Sequence, residues 1–160
     1  MNLSPIGIIH SPHQRADGTP IQAALTTGVR STVEVYPEFA AGLRDLDGFE
    51  RVWLVYWFDR AKEAELVVTP YLDTTPRGLF ATRAPCRPNP FGLSAVRLLG
   101  IVGRILQVDG LDILDSTPLL DIKPYIPAFD AFDAGRIGWC GSAKGGSFAA
   151  DGRFEAGEGR

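Results

Sequence analysis

Short apolar runs, separated by glycine and proline, dominate the hydrophobic pattern of this chain. These runs cover residues 6–9, 32–36, 52–58, 66–69, 78–81, 94–102, 105–108 and 119–122. They are rich in Val, Ile, Tyr, Trp and Thr, a composition typical of strands that pack on a core. Long amphipathic helices do not alternate with them, which argues against a doubly wound α/β sheet. The pattern therefore predicts a mainly β protein.

Helices are predicted to be accessory. Only Pro37–Leu43 has a helical pattern, because proline favours the first turn and Phe39 and Leu43 stand four positions apart on one face. A segment of this length makes about two turns. We therefore expect one or two short helices beside the strands.

Length and composition fit one globular domain. The chain has 160 residues, 45% of them hydrophobic and 22% charged. Its apolar runs stay well below the roughly 18–20 residues of a membrane-spanning helix, so we expect no membrane contact. Its first residues lack a secretory signal pattern, so we expect a cytoplasmic location. With two cysteines outside any CxxC pair and two histidines, no metal site is expected either.

Two stretches are loop-like in composition. Residues 11–30 combine few core-forming residues with several turn formers, and a loop of that length in a compact domain is usually functional or disordered. Residues 142–160 are glycine-rich and contain no aliphatic side chain larger than that of alanine. We therefore predict a domain over residues 1–141 and a flexible tail over residues 142–160.

The segment 80–94 combines three prolines with Arg83, Arg87 and Asn89. Prolines stiffen a loop, and a stiff loop presents its donors to a carboxylate or phosphate at a low entropic cost. Two readings stay open at this point: an anion-binding loop, or a β-arch whose arginines are merely solvated. Within the same segment, Gly92 would allow the backbone to approach a ligand or another strand closely.

The segment 112–125 carries a second cluster of polar residues. Asp115 and the three residues after it, Ser-Thr-Pro, form a turn signature in which the aspartate binds backbone N–H groups. Asp121 and Lys123 stand two positions apart and so share one face of a strand. They present either opposite charges to a cleft or an ordinary solvated surface.

Both segments resemble motifs of the TsaA-like family, which is also called TrmO. The resemblance is carried by Phe-Ala-Thr-Arg at 80–83, Arg-Pro-Asn-Pro-Phe-Gly-Leu-Ser at 87–94 and Asp-Ser-Thr-Pro-Leu-Leu-Asp-Ile-Lys-Pro-Tyr at 115–125. It extends over roughly residues 4–139. It implies a single β-barrel methyltransferase that uses S-adenosyl-L-methionine, acts as a homodimer and methylates N6 of threonylcarbamoyladenosine next to the anticodon of tRNA.

The same resemblance implies the site residues. The cofactor would be held by Pro20, Ile21, Gln22, Asp59, Arg60, Arg83, Leu93, Asp115, Ser116, Thr117 and Pro118. Asp121, Lys123 and Asp115 are the catalytic candidates, and Arg87, Asn89 and Tyr125 are the candidates for substrate binding. Two departures stand out: Asp59-Arg60 occupies a place where many bacterial members have His-Gln, and Ser116 replaces the usual glycine of the turn.

Two other functions remain open beside the tRNA methyltransferase. One is a methyltransferase of the same fold that acts on a small molecule or another nucleoside, and the other is a non-catalytic module that binds S-adenosyl-L-methionine. The formal net charge of −3 means that tRNA binding would depend on a local basic patch. Its candidate members are Arg77, Arg83, Arg87, Arg97, Arg104 and Lys123.

Overall fold

Six antiparallel β-strands close into a barrel. The computed structural model describes residues 2–26, 28–142 and 146–156, and within them the strands are β1 (Gly7–His10), β2 (Arg30–Val35), β3 (Arg51–Trp57), β4 (Val67–Val68), β5 (Arg77–Gly78), β6 (Phe91–Val102), β7 (Ile105–Asp109) and β8 (Thr117–Pro124). The barrel order is β1-β2-β7-β6-β3-β8, and β8 pairs with β1 to close it. The short strands β4 and β5 pair with each other outside the barrel.

Alternate residues of the barrel strands point into one core. In β3, Val52, Leu54 and Tyr56 are buried, while Trp53 and Trp57 lie on the outer face. The buried core contains Ile9, Val33, Val35, Val52, Leu54, Tyr56, Val96, Leu98, Leu106, Val108, Leu111, Ile113 and Leu119. The predicted mainly β barrel is therefore confirmed, and a period of two along the strands turns alternate residues into its core.

Helical segments are short and lie outside the barrel wall. The described residues form α1 (Pro127–Asp130) and 3-10 turns at Ala23–Leu25, Pro37–Leu43, Leu46–Gly48, Leu79–Ala81, Gly138–Gly141 and Gly152–Phe154. The segment predicted as a helix, Pro37–Leu43, adopts the tighter 3-10 form, and no side chain caps its first turn. Among the described residues, no helix has the length and apolarity needed to cross a membrane.

A second, smaller cluster involves the end of the chain. Phe154 is buried against Val68, Leu79 and Cys86, which belong to the connection between β3 and β6. The described residues 146–156 thus include one buried aromatic side chain, whose apolar area the glycine-rich composition did not indicate. The division into a domain over residues 1–141 and a tail over residues 142–160 stays a prediction. The other residues of the tail after Ser142 lie outside the described ranges.

Candidate functional site

One rim of the barrel gathers three of its connections. Because all neighbouring strands are antiparallel, β1, β3 and β7 end at this rim, and β2, β6 and β8 begin there. The connections from β1 to β2, from β3 to β6 and from β7 to β8 therefore lie at one end of the barrel, which we call the loop rim. Every residue predicted to bind the cofactor belongs to these connections or to the first residues of β6 and β8.

Asp115 fastens the connection after β1 to the turn before β8. Its carboxylate accepts a hydrogen bond from the Ser11 backbone N at 3.1 Å, and its own N donates to the His13 carbonyl at 2.7 Å. Burial raises the pKa of this carboxyl, but hydrogen bonds from Ser11 and the Ser116 hydroxyl outweigh burial and leave the pKa lowered. A carboxylate with a lowered pKa is a weak proton acceptor, so the geometry favours an anchoring role for this catalytic candidate.

Ser116 occupies a backbone conformation that favours glycine. Its φ angle is +63°, in the left-handed region where a Cβ atom is strained. The glycine usual at this place in the family motif would adopt this angle without strain. Ser116 thus holds the left-handed angle that glycine would adopt without strain.

Replacing Ser116 with glycine is expected to raise the free energy of unfolding by about 0.5–1 kcal/mol, since relief of left-handed strain exceeds the added entropy of an unfolded glycine. The check is a denaturant titration of both proteins. Ser116→Ala is the matched control, because it also removes the hydroxyl that binds Asp115 at 3.0 Å but keeps the Cβ. Equal stability of the glycine and alanine variants would contradict this prediction.

Arg60 connects the end of β3 to the same turn. Its Nη2 donates to the carbonyl of Asp115 and lies 3.4 Å from the Thr117 hydroxyl. Its Nε is buried without a hydrogen-bond partner in the described chain, and the nearby Asp59 carboxylate is 3.7 Å away. Arg60 therefore forms a contact of its own with the turn at the loop rim, and its buried Nε makes no hydrogen bond in the described chain.

Gln22 and Arg83 bring two of the connections together. Arg83 Nη1 donates to the Gln22 side-chain oxygen at 2.5 Å, and Arg83 is otherwise exposed at the surface. The preceding residue Ile21 donates its N–H to the Phe148 carbonyl at 3.1 Å, and Pro20 pairs with the same C-terminal segment. The segment that sequence composition marked as a loop is thus held on two sides.

Leu93 and Asp121 lie on the outer wall of the barrel. Leu93 of β6 pairs with Val55 of β3, which pairs in turn with Asp121 of β8, so all three side chains share the outer face. Asp121 forms an exposed ion pair with Lys123 at 2.7 Å. At a rise of about 3.3 Å per residue, Asp121 is roughly 13 Å along β8 from Thr117 at the loop rim. Within one chain, Asp121 and Lys123 are therefore separated from the predicted cofactor residues of the Asp115 turn, although Leu93 lies two strands away on the same face.

Tyr125 belongs to the opposite rim. Its ring packs against Trp53 with the centroids 5.4 Å apart, and its backbone N donates to the Arg51 carbonyl at 3.0 Å. It borders a cavity of about 260 Å³. The structure thus separates this predicted substrate-binding residue from Asn89, which is exposed at the loop rim.

Arg87 holds its own loop together. Its Nη1 donates to the carbonyls of Thr82 at 3.1 Å and Ala84 at 3.4 Å, with the Leu79 carbonyl at 3.5 Å. The sequence left open whether the 80–94 loop binds an anion or carries solvated arginines. Nη1 of Arg87 does neither in this structure, because it donates to carbonyls of its own loop. Of the two arginines, Arg83 is the exposed one.

The cations of the predicted basic patch do not gather at one place. Arg77 is paired with Asp73 at 2.5 Å, and Arg104 with Glu34 at 2.6 Å. The two cations on β6 and β8 lie on the outer wall, away from the loop rim. A tRNA-binding surface on this chain would thus contain fewer cations than the six that the sequence suggested.

Sequence reasoning missed a chain of buried polar groups. The Ser94 hydroxyl donates to Asp112 Oδ1 at 2.7 Å and lies 3.1 Å from the Tyr56 hydroxyl. Burial raises the pKa of Asp112 and that of Tyr56. Two signals in the sequence were available. The period of two in β6 points Ser94 inward next to an outward Leu93, and Asp112 begins the polar segment 112–125.

Two cavities in the described structure lie away from most of the predicted cofactor residues. A groove of about 460 Å³ borders His10, Arg30 and Gln107 and shares only Asp115 with that set. In the described ranges, no group of three or more His, Cys, Asp or Glu side chains is arranged to hold a metal ion. The predicted residues form an open rim instead of a closed pocket.

Comparison with known proteins places these features in a family. A sequence model described as the tRNA-methyltransferase O N-terminal domain matches residues 8–131. A protein of Pyrococcus abyssi named as a probable S-adenosyl-L-methionine-binding protein is 53% identical over 135 residues, which cover 84% of this chain and 73% of that protein. The tRNA (adenine(37)-N6)-methyltransferase of Escherichia coli is 35% identical over 132 residues, covering 76% of this chain and 56% of that enzyme.

A solved structure has the same fold. The crystal structure of TrmO from Pseudomonas aeruginosa superposes with a TM-score of 0.73 at 38% sequence identity. The match covers 86% of this chain and 62% of that one. The chain thus spans less than two thirds of both bacterial proteins, and more of the archaeal relative.

Proposed function

Since the chain belongs to the family of tRNA-methyltransferase O N-terminal domains, as its sequence motifs predicted, we propose that it is an S-adenosyl-L-methionine-dependent methyltransferase that methylates N6 of threonylcarbamoyladenosine in tRNA. The observation that carries the proposal is the convergence of all predicted cofactor residues on the loop rim. The Escherichia coli relative is named for adenine-N6 methylation of tRNA, which supports the acceptor.

The groups at the loop rim fit this cofactor. Arg60 Nε is a buried donor without a hydrogen-bond partner in the described chain, and such an atom suits an oxygen of a ligand. Exposed Arg83 offers a guanidinium to the cofactor's carboxylate, and exposed Leu93 offers apolar surface to its adenine. S-adenosyl-L-methionine supplies an activated methyl group on a positively charged sulfur.

We assign the residues of β8 to the acceptor instead of the cofactor. Asp121 and Lys123 lie on the outer wall, 45% and 65% exposed, where a large substrate reaches them. In this proposal Asp121 orients or accepts the proton that leaves N6 of an acceptor whose methyl donor is held at the loop rim of a second protomer. Lys123 contacts the acceptor's carboxylate or a phosphate. Positioning of the acceptor nitrogen and the methyl carbon supplies most of the rate enhancement.

A homodimer is part of the proposal. The outer wall exposes Phe91 and Leu99 of β6, beside outward Trp57 and Trp53 of β3. Aromatic and aliphatic side chains that share one exposed face are typical of interfaces. A second protomer docked there would bring its own groups near the acceptor residues of β8.

Methyl transfer to bulk tRNA tests the function. The protein is incubated with radiolabelled S-adenosyl-L-methionine and tRNA from cells able or unable to make threonylcarbamoyladenosine. We expect label only in the competent tRNA, and we expect Asp121→Ala to lower the rate without changing cofactor affinity. Cofactor binding without transfer to either tRNA would overturn the tRNA proposal and favour a small-molecule acceptor or a binding module.

A further inference from the structure

A one-way chain of hydrogen bonds ends on Asp112 beside the loop rim. The Ser94 hydroxyl has one hydrogen, which it donates to Asp112 Oδ1 at 2.7 Å. The Tyr56 hydroxyl, 3.1 Å from Ser94 Oγ, must then be the donor in that pair. Both hydroxyl hydrogens therefore point towards the aspartate, and the arrangement specifies a carboxylate oxygen that only accepts.

In the described part of the chain, the Asp112 carboxylate has no ion-pair partner. None of the ion pairs among the described residues involves Asp112. The nearby imidazole of His13 is committed through Nε2 to the Leu111 carbonyl at 3.2 Å. Desolvating a carboxylate without an opposite charge is costly, and here burial raises its pKa. A positive partner from outside the chain would offset that cost.

Asp112 lies among the segments assigned to the cofactor. The backbone of Ala23, the residue after Gln22, acts on the Asp112 carboxyl group and lowers its pKa, although burial leaves that pKa raised. Ser94, its hydrogen-bond donor, follows Leu93, and the Asp115 turn begins three residues after Asp112. Asp112 is partly buried as a residue, so it is not closed off from solvent.

We propose that the Asp112 carboxylate recognises the positive sulfonium of S-adenosyl-L-methionine and makes the loop rim prefer this cofactor over its neutral product, S-adenosyl-L-homocysteine. This inference rests on the proposed function, because it assumes that the cofactor binds at the loop rim. A carboxylate held by fixed donors needs no reorganisation when the charged ligand arrives. Once the methyl group has left, the sulfur is an uncharged thioether and the attraction to Asp112 ends, which favours exchange of product for fresh cofactor.

The test is calorimetric binding of both ligands to the wild-type protein and to Asp112→Asn. Asparagine keeps the shape and an acceptor oxygen for Ser94 but removes the charge. We expect wild type to bind the sulfonium compound at least about tenfold more tightly than the thioether, and Asp112→Asn to lose most of this ratio with thioether affinity changed by less than about twofold. Asp133→Asn, at an exposed position after α1, is the control for the same change in net charge.

The outcomes separate the inference from the function. Equal affinity of wild type for the two ligands, or an equal loss of both in Asp112→Asn, would overturn the role of Asp112. Failure of wild type to bind either ligand would overturn the proposed cofactor instead. Ser94→Ala keeps the charge while removing one donor, so a ratio abolished by Ser94→Ala but kept by Asp112→Asn also contradicts the inference. Thermal unfolding of each variant confirms that a folded protein is measured.

Discussion

Replacing Gly92 with alanine is expected to lower the free energy of unfolding by about 3 kcal/mol, the upper part of the usual range for overpacking a core. A Cβ atom built on Gly92 would lie 2.1 Å from Cε2 and 2.2 Å from Cζ of Tyr56. The Tyr56 ring cannot simply move away, because it is 4% exposed, packs on Phe58 and binds Ser94 through its hydroxyl. Relief requires either a shift of the paired strands β3 and β6 or the loss of that buried hydrogen bond.

Thermal and denaturant unfolding measure this effect. For a domain of this size a loss of about 3 kcal/mol lowers the melting temperature by about 6–12 °C. Gly100→Ala is the matched control in the same strand, because its Cβ would meet nothing closer than the Gln107 amide oxygen at 3.9 Å. Equal stability of the two variants would show that Tyr56 yields freely and that the close approach has no energetic consequence.

Gly92 also illustrates what the sequence could predict. A glycine inside a proline-rich motif indicated a close backbone approach, but its partner, the Tyr56 ring, is fixed by the register of β3 against β6. Register depends on contacts between residues distant in sequence, so a local pattern cannot supply it. The barrel strands themselves were predictable because alternation in a segment such as Arg51–Trp57 is a local property.

In the candidate site, too, local patterns predicted one part and contacts between distant residues decided the other. Composition and motifs selected the segments of the loop rim, but not the use of each side chain within them. Arg87 was a candidate for substrate binding, and its Nη1 donates to three carbonyls of its own loop, a use that the local pattern did not indicate. Asp112 lies at the start of the segment 112–125, in which Asp115 and Asp121 were the candidates, and its importance depends on a hydrogen bond from Ser94 in a distant strand. Phe154 was concealed in a glycine-rich tail because two neighbouring segments, not its own, bury it.

Replacing Arg60 with methionine is expected to weaken S-adenosyl-L-methionine binding at least about tenfold and to lower the free energy of unfolding by about 2 kcal/mol. Methionine keeps much of the aliphatic stem but removes every donor. The carbonyl of Asp115 then loses a charge-assisted hydrogen bond, and such bonds contribute about 1.5–3 kcal/mol. The turn that starts β8 is no longer tied to the end of β3, and the cofactor loses the buried Nε donor.

Arg97→Met is the matched control, because Arg97 Nε lies 3.7 Å from Glu50, the same separation as between Arg60 Nε and Asp59. The control removes an equal charge and a similar surface ion pair, whose contribution to stability is small. Calorimetric cofactor binding and denaturant unfolding are measured on both variants. A loss of stability in Arg60→Met with unchanged cofactor affinity would make Arg60 a purely structural link. An affinity loss as large in Arg97→Met would mean that long-range charge, not the contact at the loop rim, governs binding. We expect the loss of cofactor affinity to be confined to Arg60→Met. This result would mean that Asp59-Arg60 supplies its own hydrogen-bond donors where many bacterial members have His-Gln.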